Sequence, residues 1–210
     1  MNKLAVFDFD STLMAGETIE FIAETIGIKD KTALITKEAM EGKLDFFESL
    51  TQRVSLLKGI NTDKVNKICS DLPFTNGAKE IITELKNAGY CVVCFSGGFK
   101  NATEPAKDIL GYDADFSNIL HEKDGLLTGL VGGEMMFSDS KGKMLLRLQS
   151  ILNISKENTI AVGDGANDLS MFAHAGTRIA FCAKEIVKKN SDIIIDEKNL
   201  MKILEKLNGF

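Results

Sequence analysis

Two aspartates stand two residues apart near the amino terminus, in Val6-Phe7-Asp8-Phe9-Asp10-Ser11-Thr12. On an extended chain both carboxylates leave the same face and converge. Neighbouring anions repel, so such a pair persists when a cation lies between them or when one member keeps a proton. Either condition serves a carboxylate that attacks or one that shuttles protons. The same spacing also suits a plain turn, which Asp often caps, and a lone D-x-D supports either reading.

A second acidic cluster changes the balance. Gly163-Asp164-Gly165-Ala166-Asn167-Asp168 follows the apolar run Thr159 to Val162 and opens a helix. Asp164 then stands at the carboxyl end of a strand, with Asp168 one helical turn further on. Together with Asp8 and Asp10 these residues offer hard oxygen ligands in the number Mg²⁺ needs beside water and phosphate. A dinucleotide fingerprint would require glycine where Asp168 stands, and an acid there would face the pyrophosphate. Ser96-Gly97-Gly98 supplies a hydroxyl and glycine amides suited to a phosphate. A cation for that phosphate could come from Lys141 or Lys143, both in Ser138-Asp139-Ser140-Lys141-Gly142-Lys143. Ser- and Gly-rich turns and solvated lysines are common, so these two segments carry little alone.

The elements that must position these groups follow from the pattern of apolar runs. Leu4 to Phe9, Tyr90 to Phe95, Thr159 to Gly163, Arg178 to Phe181 and Asp192 to Ile195 are short and nearly continuous, as in strands covered on both faces. Helical patterns cover Thr75 to Asn87, Asn101 to Leu110, Lys143 to Leu152, Asn167 to Ala175 and Lys198 to Leu207. The third carries Met144, Leu148, Ile151 and Leu152 on one stripe, and Gly89, Gly111 and Gly176 act as helix stops. Phe116 to Phe137 reads as a short hairpin turned at Asp124-Gly125 and Gly132-Gly133. The fold class is therefore α/β, a Rossmann-like parallel sheet with helices on both faces.

Met14 to Pro73 breaks the alternation. Ile19, Ile22, Ala23 and Ile26 form one helical face there, and Phe47, Leu50, Val54 and Leu57 another. The expected organisation is a core of residues 1–13 and 76–210 with a helical bundle, residues 14–75, inserted after the first strand. An insertion at that point sits over the carboxyl end of the sheet, where open α/β sheets bind ligands.

Bulk properties exclude several classes. A net charge of -5 over 210 residues argues against general affinity for nucleic acid or anionic lipid. No apolar run approaches a membrane span, and Asp8 arrives before a signal-peptide core could form, so a cytoplasmic setting is expected. Cys69, Cys91, Cys94 and Cys182 do not suggest a disulfide scaffold. Cys91 and Cys94, three apart on a strand, point to opposite faces and cannot share one metal. His121 and His174 belong to no ligand motif.

Taken together, D-F-D-S-T, S-G-G, Lys-Gly and G-D-G-A-N-D in this order resemble the haloacid dehalogenase superfamily of phosphatases. Within it, Glu17-Thr18-Ile19, Lys37-Glu38-Ala39-Met40-Glu41-Gly42-Lys43-Leu44 and Arg53-Val54-Ser55-Leu56-Leu57 resemble the cap of the phosphoserine phosphatases. The resemblance spans nearly the whole chain. It implies that Asp8 is the nucleophile, that Asp10 is the acid and base, and that the substrate is phosphoserine, handled in the last step of serine biosynthesis. It implies Mg²⁺ held by Asp8, Asp164 and the Asp10 carbonyl, with Asp168 and Asn167 supporting them. It further implies that Ser96, Gly97 and Lys141 bind the phosphoryl group. Glu17 would meet the substrate ammonium and Arg53 its carboxylate, an anion and a fork-shaped cation suited to those groups. Phe46 and Met40 would form an apolar cover; Phe46 and Arg53, seven residues apart, share a helix face.

Two alternatives stay open at this stage: a related phosphatase or phosphotransferase on another small phosphomonoester, and a receiver domain that stores one phosphate on an aspartate. The inserted helices, the D-x-D and the second acidic cluster oppose the receiver. Partners other than the small-molecule substrate are not expected, and the chain is expected to be a monomer or homodimer. Some relatives carry a regulatory domain ahead of the catalytic part; the chain opens almost at its first strand, so none is expected.

Overall fold

In strand β1 (Lys3–Asp8) every residue after Lys3 is buried, and its side chains alternate between two cores. Ala5 and Phe7 join one apolar cluster with Ile81, Ile82 and Leu85. Leu4 and Val6 join another with Leu145, Met171 and Phe172. A strand that feeds two cores is one covered by helices on both faces. The structure is a computed structural model that describes residues 2–40 and 42–207, Met40 through its backbone alone.

Seven described strands form one sheet in the order β4-β3-β2-β1-β5-β6-β7. β2 (Tyr90–Phe99), β5 (Thr159–Gly163), β6 (Thr177–Phe181) and β7 (Ile193–Ile195) run parallel to β1, as does β3 (Ala114–Lys123); only β4 (Leu126–Gly133) is antiparallel. Between β1 and β2 lie α1 (Thr18–Thr25), α2 (Lys29–Met40), α3 (Phe46–Ser55), α4 (Thr62–Ser70) and α5 (Ala78–Asn87). α6 (Lys100–Leu110) joins β2 to β3, and α7 (Ser140–Leu152) precedes β5. The short helices α8 (Leu169–Phe172), α9 (Glu185–Lys188) and α10 (Lys202–Lys206) follow. The chain leaves the sheet and returns to it at one place, where Met14 and Phe74 form an antiparallel bridge flanked by Ala15 N–H to Pro73 O at 2.9 Å and Thr75 N–H to Leu13 O at 2.9 Å.

The structure bears out the α/β architecture and the opposed thiols: Cys94 lies in the first cluster and Cys91 packs against the second. It corrects four details. Gly132 and Gly133 are no turn, because they pair with Ile119 and Asn118 inside the β3–β4 ladder, and only Asp124-Gly125 turns the chain. The helices expected over 167–175 and 198–207 shrink to α8 and α10, preceded by tighter turns.

Of the stripe expected on α7, Met144 and Leu148 pack half-buried against the second cluster, but the buried line is Lys141, Leu145 and Gln149, whereas Ile151 is 77 % exposed and Leu152 is also exposed. These positions repeat every four residues, as a helix face should, but two are polar. Lys141 enters the centre described below, and Gln149 donates to Thr159 Oγ1 at 3.0 Å and His174 O at 2.8 Å. Apolar periodicity alone misplaces a face anchored by satisfied polar groups.

Phe47 does not join Leu50, Val54 and Leu57 in the core. An Asp45–Glu48 capping box starts α3 at Phe46, and its first turn points at the loops of the sheet. There Phe47, 39 % exposed, stacks on Phe137 with ring centres 5.3 Å apart and planes 11° from parallel.

The α7 assignment has a direct check in urea unfolding. Leu145→Ala should lose about 2–5 kcal/mol, and Ile151→Lys should stay within about 0.5 kcal/mol of the parent; comparable losses at both positions would contradict the face assigned.

Candidate active site

The register of the central strands brings the chemistry to one edge. Asp8 pairs with Phe95, so Ser96 is the next residue on β2. Phe7 pairs with Val162, so Gly163 and Asp164 come level with and just beyond Asp8. From β1 the chain crosses to β2 on one side, while β5 on the other side is reached only after β4, and this reversal of direction opens a crevice at the carboxyl ends of the strands. A cavity of about 620 Å³ occupies it, lined by Asp8, Asp10, Asp164 and Asn167 and, from the helical segment between β1 and β2, by Glu17, Phe46 and Arg53.

After Asp8 the chain makes one tight π-type turn, closed by Met14 N–H to Phe9 O at 2.8 Å. Phe9 enters the core, while Asp8 and Asp10 keep extended dihedrals and both line the cavity. Thr18, at the start of α1, holds Asp10 Oδ1 through its backbone N–H at 2.8 Å and its hydroxyl at 2.5 Å.

Of the two lysines, Lys141 is the one at the centre. Its ammonium lies 2.7 Å from Asp8 Oδ1 and 2.6 Å from Asp168 Oδ1, fully inside the protein. Lys143 points outward, 71 % exposed, to Asp139. Asp168 is saturated: its Oδ2 also accepts the N–H groups of Asp164 at 3.0 Å and Gly165 at 2.9 Å. Only glycine fits at 163, where a Cβ would fall 2.3 Å from the Asp168 carboxyl carbon.

Burial pulls against the ion pairs. It would lower the Lys141 pKa, but Asp168 and Asp8 outweigh it and hold the ammonium above its usual range. Burial, reinforced by the Asp168 charge, raises Asp8 well above the usual carboxylate range. Burial and the same neighbour push Asp164 up to about 7. The two partners of the Asp8–Lys141 pair thus point opposite ways. Geometry explains it: Asp168 has the best share of the single ammonium, so Asp8 and Asp164 are the carboxylates short of a cation. Oxygens of Asp8, Asp164 and Asp168 lie within 4.8 Å of one another. Hard oxygens crowded with surplus negative charge are a donor set suited to a divalent cation, with Asp168 already committed to Lys141 and two amides.

Asp10 is raised by burial, against the hydrogen bonds from Thr18. Glu17 accepts the Ser11 hydroxyl at 2.9 Å; burial, and next the charge of Asp10, push it up to about 8. Arg53 donates Nε–H to Ser49 O at 3.2 Å, and its pKa is lowered by burial against the support of Glu17. The Phe46 ring stands over Gly97, where a Cβ would meet its Cζ at 2.9 Å. The Met40 side chain lies outside the described residues. Ser96 is wholly buried and is not itself among the cavity-lining residues, which take in its neighbours Gly97 and Gly98; its Oγ accepts the Gly98 N–H at 2.9 Å.

Sequence reasoning missed Thr18, although it sits in the Glu17-Thr18-Ile19 motif, and Thr12, whose hydroxyl reaches Asp164 Oδ1 at 3.4 Å. It also missed Glu20 and Lys184 in the cavity wall, which no motif marks. His121 and His174 are not among the residues that line the cavity.

Two outcomes test this electrostatic layout in metal-free protein. At pH 7 Lys141→Met should lose about 3–5 kcal/mol, since it strands two buried carboxylates, while Lys143→Met should lose at most about 0.5 kcal/mol; equal unfolding midpoints would refute the buried triad. Glu17 binds its proton more tightly folded than unfolded, so its contribution is complete below about pH 4.5 and is lost as pH rises to about 8. The melting-temperature advantage of Glu17→Gln over the parent should therefore grow across that window and level off above it; a difference independent of pH would rule this out.

Residues 2–176 match the haloacid dehalogenase-like hydrolase family. The chain is 60% identical to the phosphoserine phosphatase of Wolinella succinogenes, over 98% of this chain and 100% of that one. It is 51% identical to that of Methanocaldococcus jannaschii, over 97% and 96%. Among solved structures, a phospho-aspartyl intermediate analogue of phosphoserine phosphatase superposes with a TM-score of 0.92 at 51% identity, covering 97% of this chain and 98% of that one. A substrate-bound phosphoserine phosphatase complex gives 0.92 at 50%, covering 98% of each. A cluster of buried aspartates at the carboxyl edge of a parallel sheet, in a chain matched along almost its full length, has one reading: the protein belongs to the haloacid dehalogenase-like hydrolases.

Proposed function

We infer that this chain is a phosphoserine phosphatase, hydrolysing O-phosphoserine to serine and phosphate in the last step of serine biosynthesis. One observation carries the reading. Asp8, in contact with the buried Lys141 ammonium, opens onto a cavity that is also lined by a carboxyl group, Glu17, and a guanidinium, Arg53. Phosphoserine carries a phosphoryl group at one end and an ammonium and a carboxylate at the other. The name and near-complete overlap of the relatives support the same substrate.

In this reading an Asp8 oxygen attacks phosphorus and the bond from phosphorus to the serine oxygen breaks. Asp10, whose carboxyl burial holds above its usual range against the Thr18 hydrogen bonds, gives a proton to the departing serine oxygen. The resulting Asp10 carboxylate then takes a proton from water. The water oxygen bonds to phosphorus, the bond to Asp8 breaks, and phosphate leaves. Lys141, the Ser96 hydroxyl and the Gly97 backbone hold the phosphoryl oxygens. Asp8 accepts Phe9 N–H and Lys141 on Oδ1, so among the described residues Oδ2 is its less engaged oxygen.

Mg²⁺ would be held by the side chains of Asp8 and Asp164 and the Asp10 carbonyl, with Asp168 and Asn167 behind them. When bound, it would offset negative charge on the phosphoryl oxygens. We treat residues 14–75 as a cap: Glu17 receives the ammonium and loses its proton as it does so, Arg53 receives the carboxylate, and Phe46 with Met40 excludes water. We place the protein in the cytoplasm as a monomer or homodimer; among the described residues no helix is long and apolar enough to cross a membrane.

The deciding assay is phosphate release from phosphoserine with and without Mg²⁺. Release should require the metal, run to many equivalents per chain, and vanish in Asp8→Asn. Arg53→Ala should raise KM for phosphoserine at least about tenfold, the scale of a lost charged hydrogen bond, with little change for an uncharged aryl phosphate. Equal turnover of sugar or nucleotide phosphates by the parent would defeat the substrate assignment.

A further inference from the structure

The three residues Ser96, Gly97 and Gly98 interrupt the pairing of β2 with β3. Phe95 pairs with Phe116 and Phe99 with Asn118, so three residues of β2 face only Ser117 on β3. The surplus residues bulge from the ladder, and a bulge leaves backbone groups needing partners. Asn118 supplies one. Wholly buried, its side-chain amide donates to Gly97 O at 3.1 Å and Met135 O at 3.2 Å, while its Oδ1 accepts Met135 N–H at 2.9 Å. Both amide hydrogens and one acceptor site are used, and flipping the amide would set its oxygen against two carbonyls. The chain wraps closely around this side chain: at Gly133, φ +144°, a Cβ would fall 2.7 Å from Asn118 Cα.

The peptide that Asn118 grips at its carbonyl, Gly97 to Gly98, is held at its other end by Gly98 N–H to Ser96 Oγ at 2.9 Å. That bond commits the Ser96 oxygen as an acceptor and leaves its one proton to be donated. We infer that Asn118 is a positioning residue for the reaction: by clamping the Gly97–Gly98 peptide it turns the Ser96 hydroxyl into a donor toward the phosphoryl group. Asn118 does not line the cavity and acts only through Ser96. The inference rests on the phosphatase reading above, in which Ser96 meets the phosphoryl oxygens.

The test is a double-mutant cycle on phosphoserine hydrolysis with Mg²⁺, using the parent, Asn118→Ala, Ser96→Ala and the double variant, with melting temperatures measured alongside. Asn118→Ala should lower kcat at least about tenfold, the scale of a misplaced catalytic group, with KM changed less than about threefold. In the Ser96→Ala background the same change should cost less than about twofold in kcat, because the group it positions is gone. If Asn118→Ala does not fold, Asn118→Asp, near in shape but presenting oxygen to both carbonyls, replaces it in the cycle with the same expectations. An equal fold-loss in both backgrounds, or a lower melting temperature with kcat unchanged, would overturn the role of Asn118 alone. A parent inactive on phosphoserine, or a fully active Ser96→Ala, would overturn both this inference and the reading beneath it.

Discussion

A single buried ammonium serving three carboxylates is the constraint from which the rest of this centre follows. Taking a charge out of water costs several kcal/mol unless partners replace the lost hydration. Lys141 spends its contacts on Asp168 and Asp8, and Asp168 fixes the Asp164-Gly165 turn through two amides. Secondary structure that looks independent is thereby tied together: β1, the first turn of α7 and the loop after β5 meet at one nitrogen. The remaining negative charge is what a bound divalent cation would balance.

The helical segment repeats this imbalance with other groups. Glu17 and Arg53 both suffer burial, which disfavours the charge of each, and each is the other's nearby counter-charge. A ligand bearing an ammonium and a carboxylate relieves both at once. Selectivity of that kind comes from leaving polar groups poorly satisfied until the right partner arrives.

Much of this could be read from the chain because it is local. D-F-D and G-D-G-A-N-D each follow a short apolar run, and a strand followed by a turn places its acids at the sheet edge wherever the strand lies. Placement across the fold was not legible. Lys141 and Lys143 are indistinguishable in sequence, and only tertiary packing buries one of them. The face of α7 was misread since a lysine and a glutamine occupy interior positions that periodicity assigns to apolar residues. Phe47 fits its expected stripe by angle but lies in the first turn of α3, where Phe137 offers a better surface than the core. Asn118 gave no signal at all, being one polar residue in a strand, and its meaning depends on Gly97 and Met135, each 17 or more positions away.

The stacked pair of Phe47 and Phe137 is adjacent in the chain to Phe46 and Ser138, which both line the cavity. Two aromatic rings in contact are worth about 1 kcal/mol beyond the area they cover, a bias of roughly fivefold between joined and parted. Such a clasp is too weak to lock and too strong to ignore. It sets an energy scale for the contact between α3 and the segment ahead of α7 at which thermal agitation alone suffices to part the rings.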